Sequence, residues 1–247
     1  MTPRARLGLF FAGVAALLAA LGLTFARMPA AGAHETAYAR AIDERVLPER
    51  HASDAVGAVT FDYRGFDTLG EESLLFAAVV GVVVLLRKHR DDAEPRRREP
   101  EEGRAALGPS FAMRYFSVGL VGLLVVFGGY VASHGQVSPG GGFQGGLVLA
   151  SAPFVVYLAQ SLGVFERIAP RGLVELGEAC GVTVYVLTGV LGLACGDAFL
   201  ANVLPLGAAH AAVDSGGTIA VLGVATGVAV ACGFVVLALA FLDDRVR

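Results

Sequence analysis

Charge is scarce in this chain. Only 17% of its 247 residues are Asp, Glu, Lys or Arg, against 55% hydrophobic residues. A soluble domain of this length carries about a quarter charged residues. The charges that are present cluster between apolar blocks, and the mean hydropathy is +0.65. That pattern belongs to an integral membrane protein. Cysteine is scarce as well. Cys180, Cys195 and Cys232 are odd in number, lie in or beside apolar blocks and show no CxxC spacing. They therefore form neither a disulfide framework nor a zinc site, and read as small apolar packing residues. A net charge of −3 gives no argument for nucleic-acid binding. Tryptophan is absent, whereas 33 glycines suit the close approach of helices in lipid. No internal repeat is visible.

Windows of about 20 apolar residues recur at 7–26, 66–87, 111–133, 143–163, 176–196 and 217–241. The expected fold is therefore all-α, a polytopic integral membrane protein with about six transmembrane helices. Arg4, Arg6 and the Ala31-Gly32-Ala33 stretch would also fit a signal peptide. The first apolar run exceeds the usual h-region, which favours an uncleaved helix. Lys and Arg set the orientation. With the N-terminus inside, 14 of the 19 basic residues lie on the cytoplasmic side. The loops at 134–142 and 197–216, on the other side, contain none. Both termini are thus expected in the cytoplasm.

Residues 88–110 combine dense mixed charge with Pro95, Pro100 and Gly103. Such a stretch cannot bury a core and reads as a solvated cytoplasmic linker. It divides the chain into a two-helix unit, 1–87, and a four-helix unit, 111–247.

Between the third and fourth spans lies an uncharged run, Pro139, Gly140, Gly141, Gly142, Phe143, Gln144, Gly145 and Gly146. It contains a literal G-x-G-x-x-G. A dinucleotide site would need a preceding strand and a βαβ unit, and a P-loop would need a Lys; a membrane helix precedes this motif and no Lys follows it. The pairs Gly141/Gly145 and Gly142/Gly146 instead have small-xxx-small spacing. The motif is expected to pack and position, with Phe143 as an anchor and Gln144 free to hydrogen-bond across a contact. A tight turn between helices is the simpler alternative.

This run, followed by LVLASA, resembles the hallmark of the B subunit of Mrp (Mnh) multisubunit Na+/H+ antiporters. The likeness continues through LGEACG at 176–181, GDAFLANVLPLG at 196–207 and SGGTIAVLGVATGVAVACGFVV at 215–236. The family usually carries a His near the slot of Gln136, whereas here His134 lies two residues upstream. Upstream of the linker, the stretch YRGFDTLGE, Tyr63 to Glu71, resembles the C-terminal end of the large Mrp A subunit. The same piece occurs as a small E-type subunit of membrane-bound hydrogenases. The resemblance implies a fusion of the two, acting as a membrane subunit of a Na+/proton antiporter rather than an enzyme. It implies partner subunits of the Mrp A, C, D, E, F and G types, the ions Na+ and H+, no cofactor, and a prokaryotic cell (inner) membrane. The alternative is a membrane-arm subunit of an energy-converting hydrogenase-like complex; an assembly subunit without an ion path is a third reading.

The ionisable residues near the spans are the candidates for an ion pathway. The purely apolar run 74–86 has 13 residues, or about 20 Å of helix. Against a hydrocarbon core of about 30 Å, the span must begin near Thr68, which draws Glu71 and Glu72 inside the boundary. Ionisable residues there are costly and functional by default. Thr68-x-x-Glu71 also fits a helix capping box. Glu71 matches the resembling motif and is the favoured carboxylate, with Arg64, Asp62 and Asp67 as partners. Glu175 and Glu178 share a helical face, and Glu178 matches the family pattern; both also suit a helix start. His134, Asp197, His210 and Asp214 sit at outer span ends, His134 being the foremost proton-relay candidate. Pro153 is expected to kink its helix, with Ser151 near the freed backbone groups. These positions assemble no nucleophile–base pair and no metal set.

Overall fold

The structure, a computed structural model, describes residues 3–28, 36–92, 111–208 and 212–246. Within them the chain is all-helical. In order come α1 (Pro3–Ala26), α2 (Ala37–Arg50) and α3 (Ala55–Ala58), which runs into a π-turn at Val59–Tyr63. They are followed by α4 (Gly65–Asp92), α5 (Phe111–Ser133), α6 (Gly142–Ala159), α7 (Leu162–Ile168), α8 (Arg171–Ala194) and α9 (Thr218–Val246). Six helical stretches are long and apolar enough to cross a membrane: Ala5–Ala26, Gly65–Leu86, Phe111–Ser133, Gly142–Ala159, Arg171–Ala194 and Thr218–Leu242. They correspond to the six expected from hydropathy, with some ends moved.

The moved ends have local causes. α8 starts at Arg171, before its apolar run, because Pro170 supplies an extended cap and Arg171 pairs with Glu175 at 2.8 Å across one turn. α4 starts at Gly65 rather than at Thr68, since the chain feeds into it from the π-turn. The Thr68–Glu71 capping box therefore does not form. The Thr68 hydroxyl instead donates to the Thr60 carbonyl at 2.7 Å. α6 continues through Pro153, and the Ser151 hydroxyl donates to the Val148 carbonyl at 2.6 Å.

The chain forms two compact units, 1–42 and 43–247. In the first, the span of α1 is exposed throughout. In the second, α9 is the hub: 61% of its span is buried, and it packs against α4, α5, α6 and α8. Gly223, Ala225, Gly227, Ala229 and Gly233 explain this, because small residues on every face let several backbones come close. α4 lies with α8 and α9, in the second unit. Residues 93–110 of the linker lie outside the described residues.

One end of this unit is closed by loops that Gln136 ties together. Its side chain is 1% exposed and donates to the Val213 carbonyl at 2.7 Å. Its own carbonyl accepts from the amides of Ser53 at 3.0 Å and Asp54 at 3.2 Å.

Candidate functional site

Between Leu74 and Leu86 α4 is apolar on all sides, so the neighbours decide which stripe turns inward. Gly65, Thr68, Glu72 and Val79, spaced three, four and seven residues apart, are the buried ones. Glu72 is 1% exposed, and its Oε1 has no hydrogen-bond partner. Glu71 is a hundred-degree step around the helix and is exposed. Glu71, the carboxylate that the resemblance favours, is thus on the outer face of α4, and Glu72 faces α9 and α8.

Thr226 of α9 stands opposite Glu72, and Glu178 and Glu71 are the charged groups acting on Glu72. Glu178, on α8, is 6% exposed, and its Oε1 too lacks a partner. It fills the space left by Gly233: a Cβ there would lie 3.0 Å from that Oε1 and 3.6 Å from Val79 of α4. Two turns along α8 from Glu178, on the same face, Tyr185 is wholly buried. Its hydroxyl donates to the Gly65 carbonyl at 2.9 Å, beside Thr68. These contacts set α4 and α8 antiparallel, with α9 parallel to α4.

Beyond Gly65, at the end of the bundle that carries the π-turn, lies a polar cavity of about 460 Å³. Arg50, Asp62, Tyr63, Asp197, Leu200 and Asn202 are among its walls. Arg50 Nε and Asp62 pair at 2.5 Å, and the Arg50 guanidinium sits 5.4 Å from the centre of the Tyr63 ring. Asn202 donates to Asp62 at 2.9 Å and to the Gly216 carbonyl at 3.0 Å, and accepts from the Thr218 amide at 2.9 Å. The Tyr63 hydroxyl donates to Glu49 at 3.0 Å. Burial, and then the bond to the Glu49 carboxylate, hold the Tyr63 phenol above its ordinary pKa.

The remaining candidates lie elsewhere. Arg64 and Asp67 pair with each other on the exposed surface. His134 stacks on Tyr130 with ring centres 4.1 Å apart, its Nδ1 3.1 Å from the Tyr130 carbonyl and 3.2 Å from the Ser133 hydroxyl. Asp197 accepts from the Ala198 amide at 2.7 Å, and Asp214 is exposed. His210 lies outside the described residues. Of the expected pathway residues, Arg64 pairs with Asp67, while Glu72 and Glu178 lie on sides of α4 and α8 that face the same stretch of α9.

The glycine motif opens α6. Gly141 adopts φ 138°, which favours glycine, and caps the helix. Gly142 abuts Gly223 and Gly227 of α9, and Gly145 abuts Ala132 of α5, each so closely that a Cβ would overlap backbone atoms. Phe143 is half-buried, whereas Gln144 and Pro139 are exposed.

Sequence reasoning passed over Tyr185, Thr226, Gln136 and Asn202. The first two left a signal: both are polar groups inside otherwise apolar spans, and Tyr185 repeats the Glu178 face after seven residues.

Residues 112–241 match a family described as a domain related to the MnhB subunit of Na+/H+ antiporter. The chain belongs to this family. Residues 5–102 match the MbhE family, described as the E-type subunit of MBH. This MnhB-family chain thus carries an MbhE-like segment ahead of its MnhB-like one, the two meeting in the charged linker. An uncharacterized protein of Methanocaldococcus jannaschii is 30% identical over 175 residues, 65% of this chain and 64% of that one. The B subunit of the Na+/H+ antiporter of Alkalihalophilus pseudofirmus is 33% identical over 78 residues, 32% of this chain and 54% of its own length. The chain thus spans less than two thirds of the length of either relative. Among solved structures, a chain of the Mrp complex from a Dietzia species aligns with TM-score 0.70 and 26% identity, over 98% of this chain and 26% of that one. A chain of the membrane-bound sulfane sulfur reductase, an archaeal respiratory membrane complex, aligns with TM-score 0.65 and 27% identity, over 98% of this chain and 99% of that one.

Proposed function

We propose that this multi-pass membrane protein is a subunit of a multisubunit monovalent cation (Na+)/proton antiporter, contributing helices and a carboxylate to the ion pathway. Its task is secondary transport in a prokaryotic cell membrane, beside subunits of the Mrp A, C, D, E, F and G types, with both termini in the cytoplasm as the Lys/Arg asymmetry indicates. The relatives named as B subunits of Na+/H+ antiporters support the transport class. The observation that carries the reading is Glu72, a buried carboxylate inside a span with an oxygen left unpartnered. Such a group is expensive in lipid and is kept where protons or cations must pass. Glu71, one residue away on the exposed face, lies on surface that a neighbouring subunit would cover.

The test is Na+-driven proton movement in liposomes holding the assembled complex. Glu72→Gln is expected to lower exchange about tenfold or more at normal complex levels, and Glu71→Gln to lower it less. Equal rates for wild type and Glu72→Gln across pH would remove this carboxylate from the pathway. The second reading, a membrane-arm subunit of a respiratory complex, is favoured by the reductase chain that aligns along almost its full length. Purification of the complex with redox subunits attached would select it.

A further inference from the structure

The polar groups between α4, α8 and α9 form a row. At one end is the cavity walled by Asp62, Tyr63, Asp197 and Asn202, with Gly65 also in its wall. Behind Gly65 stands the Tyr185 hydroxyl, with Thr68 beside it. One turn deeper on the same stripe of α4 is Glu72, facing Thr226. Seven residues further along α9, at Gly233, lies Glu178. Glu178 Oε1 is buried without a hydrogen-bond partner, and Glu72 Oε1 and Thr226 Oγ1, also buried, have at most each other. A seam built for stability alone would not bury acids so poorly bonded, since each unmet buried group costs about 1–3 kcal/mol.

Depth gives the row its meaning. Glu72 is seven residues from the start of α4, and Glu178 is seven from the opposite-facing start of α8. Seven residues are about 10 Å of helix. Measured from these starts, the two carboxylates lie about two turns into their helices, from opposite ends.

We propose that this row is a proton route of the chain's own, entered from the polar cavity, passing over the Tyr185 and Thr68 hydroxyls to Glu72 and on past Thr226 to Glu178. The proposal rests on the transport reading above. The ligand is the proton, carried by water, rather than a bare cation. At Glu72 one carboxylate faces one hydroxyl, too few oxygens to replace a cation's hydration shell, whereas a proton needs a single lone pair. Tyr185 and Thr68 donate their hydrogens to the Gly65 and Thr60 carbonyls and keep lone pairs for an incoming one. At each hydroxyl one O–H bond forms as another breaks towards the next oxygen. Glu72 thereby passes from carboxylate to carboxylic acid and back, and water filling the two turns before Glu178 makes the last exchange; no electrons move. The other titratable groups of these three elements near the row are Glu71 on α4, Glu175 and Cys180 on α8, and Cys232 on α9.

The experiment uses the complete complex reconstituted in liposomes, with Na+-driven proton uptake as the readout. Tyr185→Phe is expected to lower uptake about tenfold at unchanged complex levels, and Tyr185→Phe combined with Glu72→Gln to be no worse than Glu72→Gln alone, because both lie on one route. Glu72→Asp, which keeps a carboxyl group, should retain part of the rate. In a chain whose three native cysteines are replaced by Ala, Ala201→Cys in the cavity wall is labelled with a cationic thiosulfonate before reconstitution. This should lower uptake as Tyr185→Phe does, while the same label at Ala208→Cys, outside the cavity wall, should not. Full uptake with the cavity labelled, or full uptake in Tyr185→Phe, overturns the route. A wild-type complex without Na+-driven uptake overturns the antiporter reading alone. The route is then judged with the same variants by proton uptake under an imposed membrane potential.

Discussion

The two sides of α9 differ in what they enclose. Towards α5 and α6 the contact is backbone against backbone: Gly142 meets Gly223 and Gly227, and Gly145 meets Ala132. Towards α4 and α8 the same helix offers Thr226 and, at Gly233, a gap filled by the Glu178 carboxylate. Lipid tails are as apolar as leucine, so helices in a membrane gain little from hiding apolar surface and must be held by close packing. The first side does that and has no room for water. The second side packs as closely where Gly181 of α8 meets Ala225 and Ala229, but it also encloses acids and hydroxyls, several of them unsatisfied. Both sides hold the bundle together, and only the second encloses carboxylates.

The contrast is broken most severely at the glycines. Gly142→Leu or Gly145→Leu drives a side chain into neighbouring backbone, which cannot give way as a flexible side chain would. The expected cost is about 3 kcal/mol or more, read as loss of assembled complex on a native gel. A Gly142→Leu complex that assembled normally and changed only which cation is carried would make the motif a selectivity element and end its packing role.

The polar side should respond in the reverse sense. Glu72→Leu removes a buried, incompletely bonded carboxylate, and replacing such groups with apolar ones of similar volume is often neutral or stabilising. The variant is expected to lose exchange while its thermal midpoint stays the same or rises, with a gain of up to about 2 kcal/mol. Loss of stability together with activity would show that Glu72 holds the seam as well as serving transport.

At the cavity end, Asn202→Ala removes three hydrogen bonds, including the cap on the first amide of α9. A cost of about 1–3 kcal/mol is expected, with faster amide hydrogen exchange at the start of α9 than at its middle. Uniform exchange along α9 would argue against a local cap.

The smallest effect concerns pH. Tyr63 has its pKa raised by burial and by its bond to Glu49, so the folded state holds the phenolic proton more tightly than the unfolded state does. That contribution is complete below the ordinary tyrosine pKa of about 10, and it is lost as pH rises through the folded value. Tyr63→Phe should flatten the stability profile above pH of about 10. An unchanged profile would mean that this phenol feels no such environment.

Much of the architecture is legible along the chain. The six spans follow from runs of apolar residues, because length and composition decide whether a helix can cross a lipid layer, and both can be counted without knowing any contact. The glycine motif, too, is visible as a spacing. Which helix it meets is not: α5 and α9 are brought to it from positions before and after it in the chain. The polar side of α9 was harder to see for the same reason. Thr226 and Tyr185 stand alone in apolar runs, and their meaning comes only from α4, more than a hundred residues away.

The sharpest case is the pair Glu71 and Glu72. By itself the sequence determined that an acid lies inside the start of a span, since 13 apolar residues are too short to cross and the helix must extend back over both glutamates. It could not determine which one turns inward. A helix rotates by about 100° per residue, and between Leu74 and Leu86 α4 is apolar on every side, so nothing in those residues marks a face. Only the packing of α8 and α9 against it decided that Glu72 is enclosed and Glu71 left outside, because burial is a property of neighbours rather than of the residue.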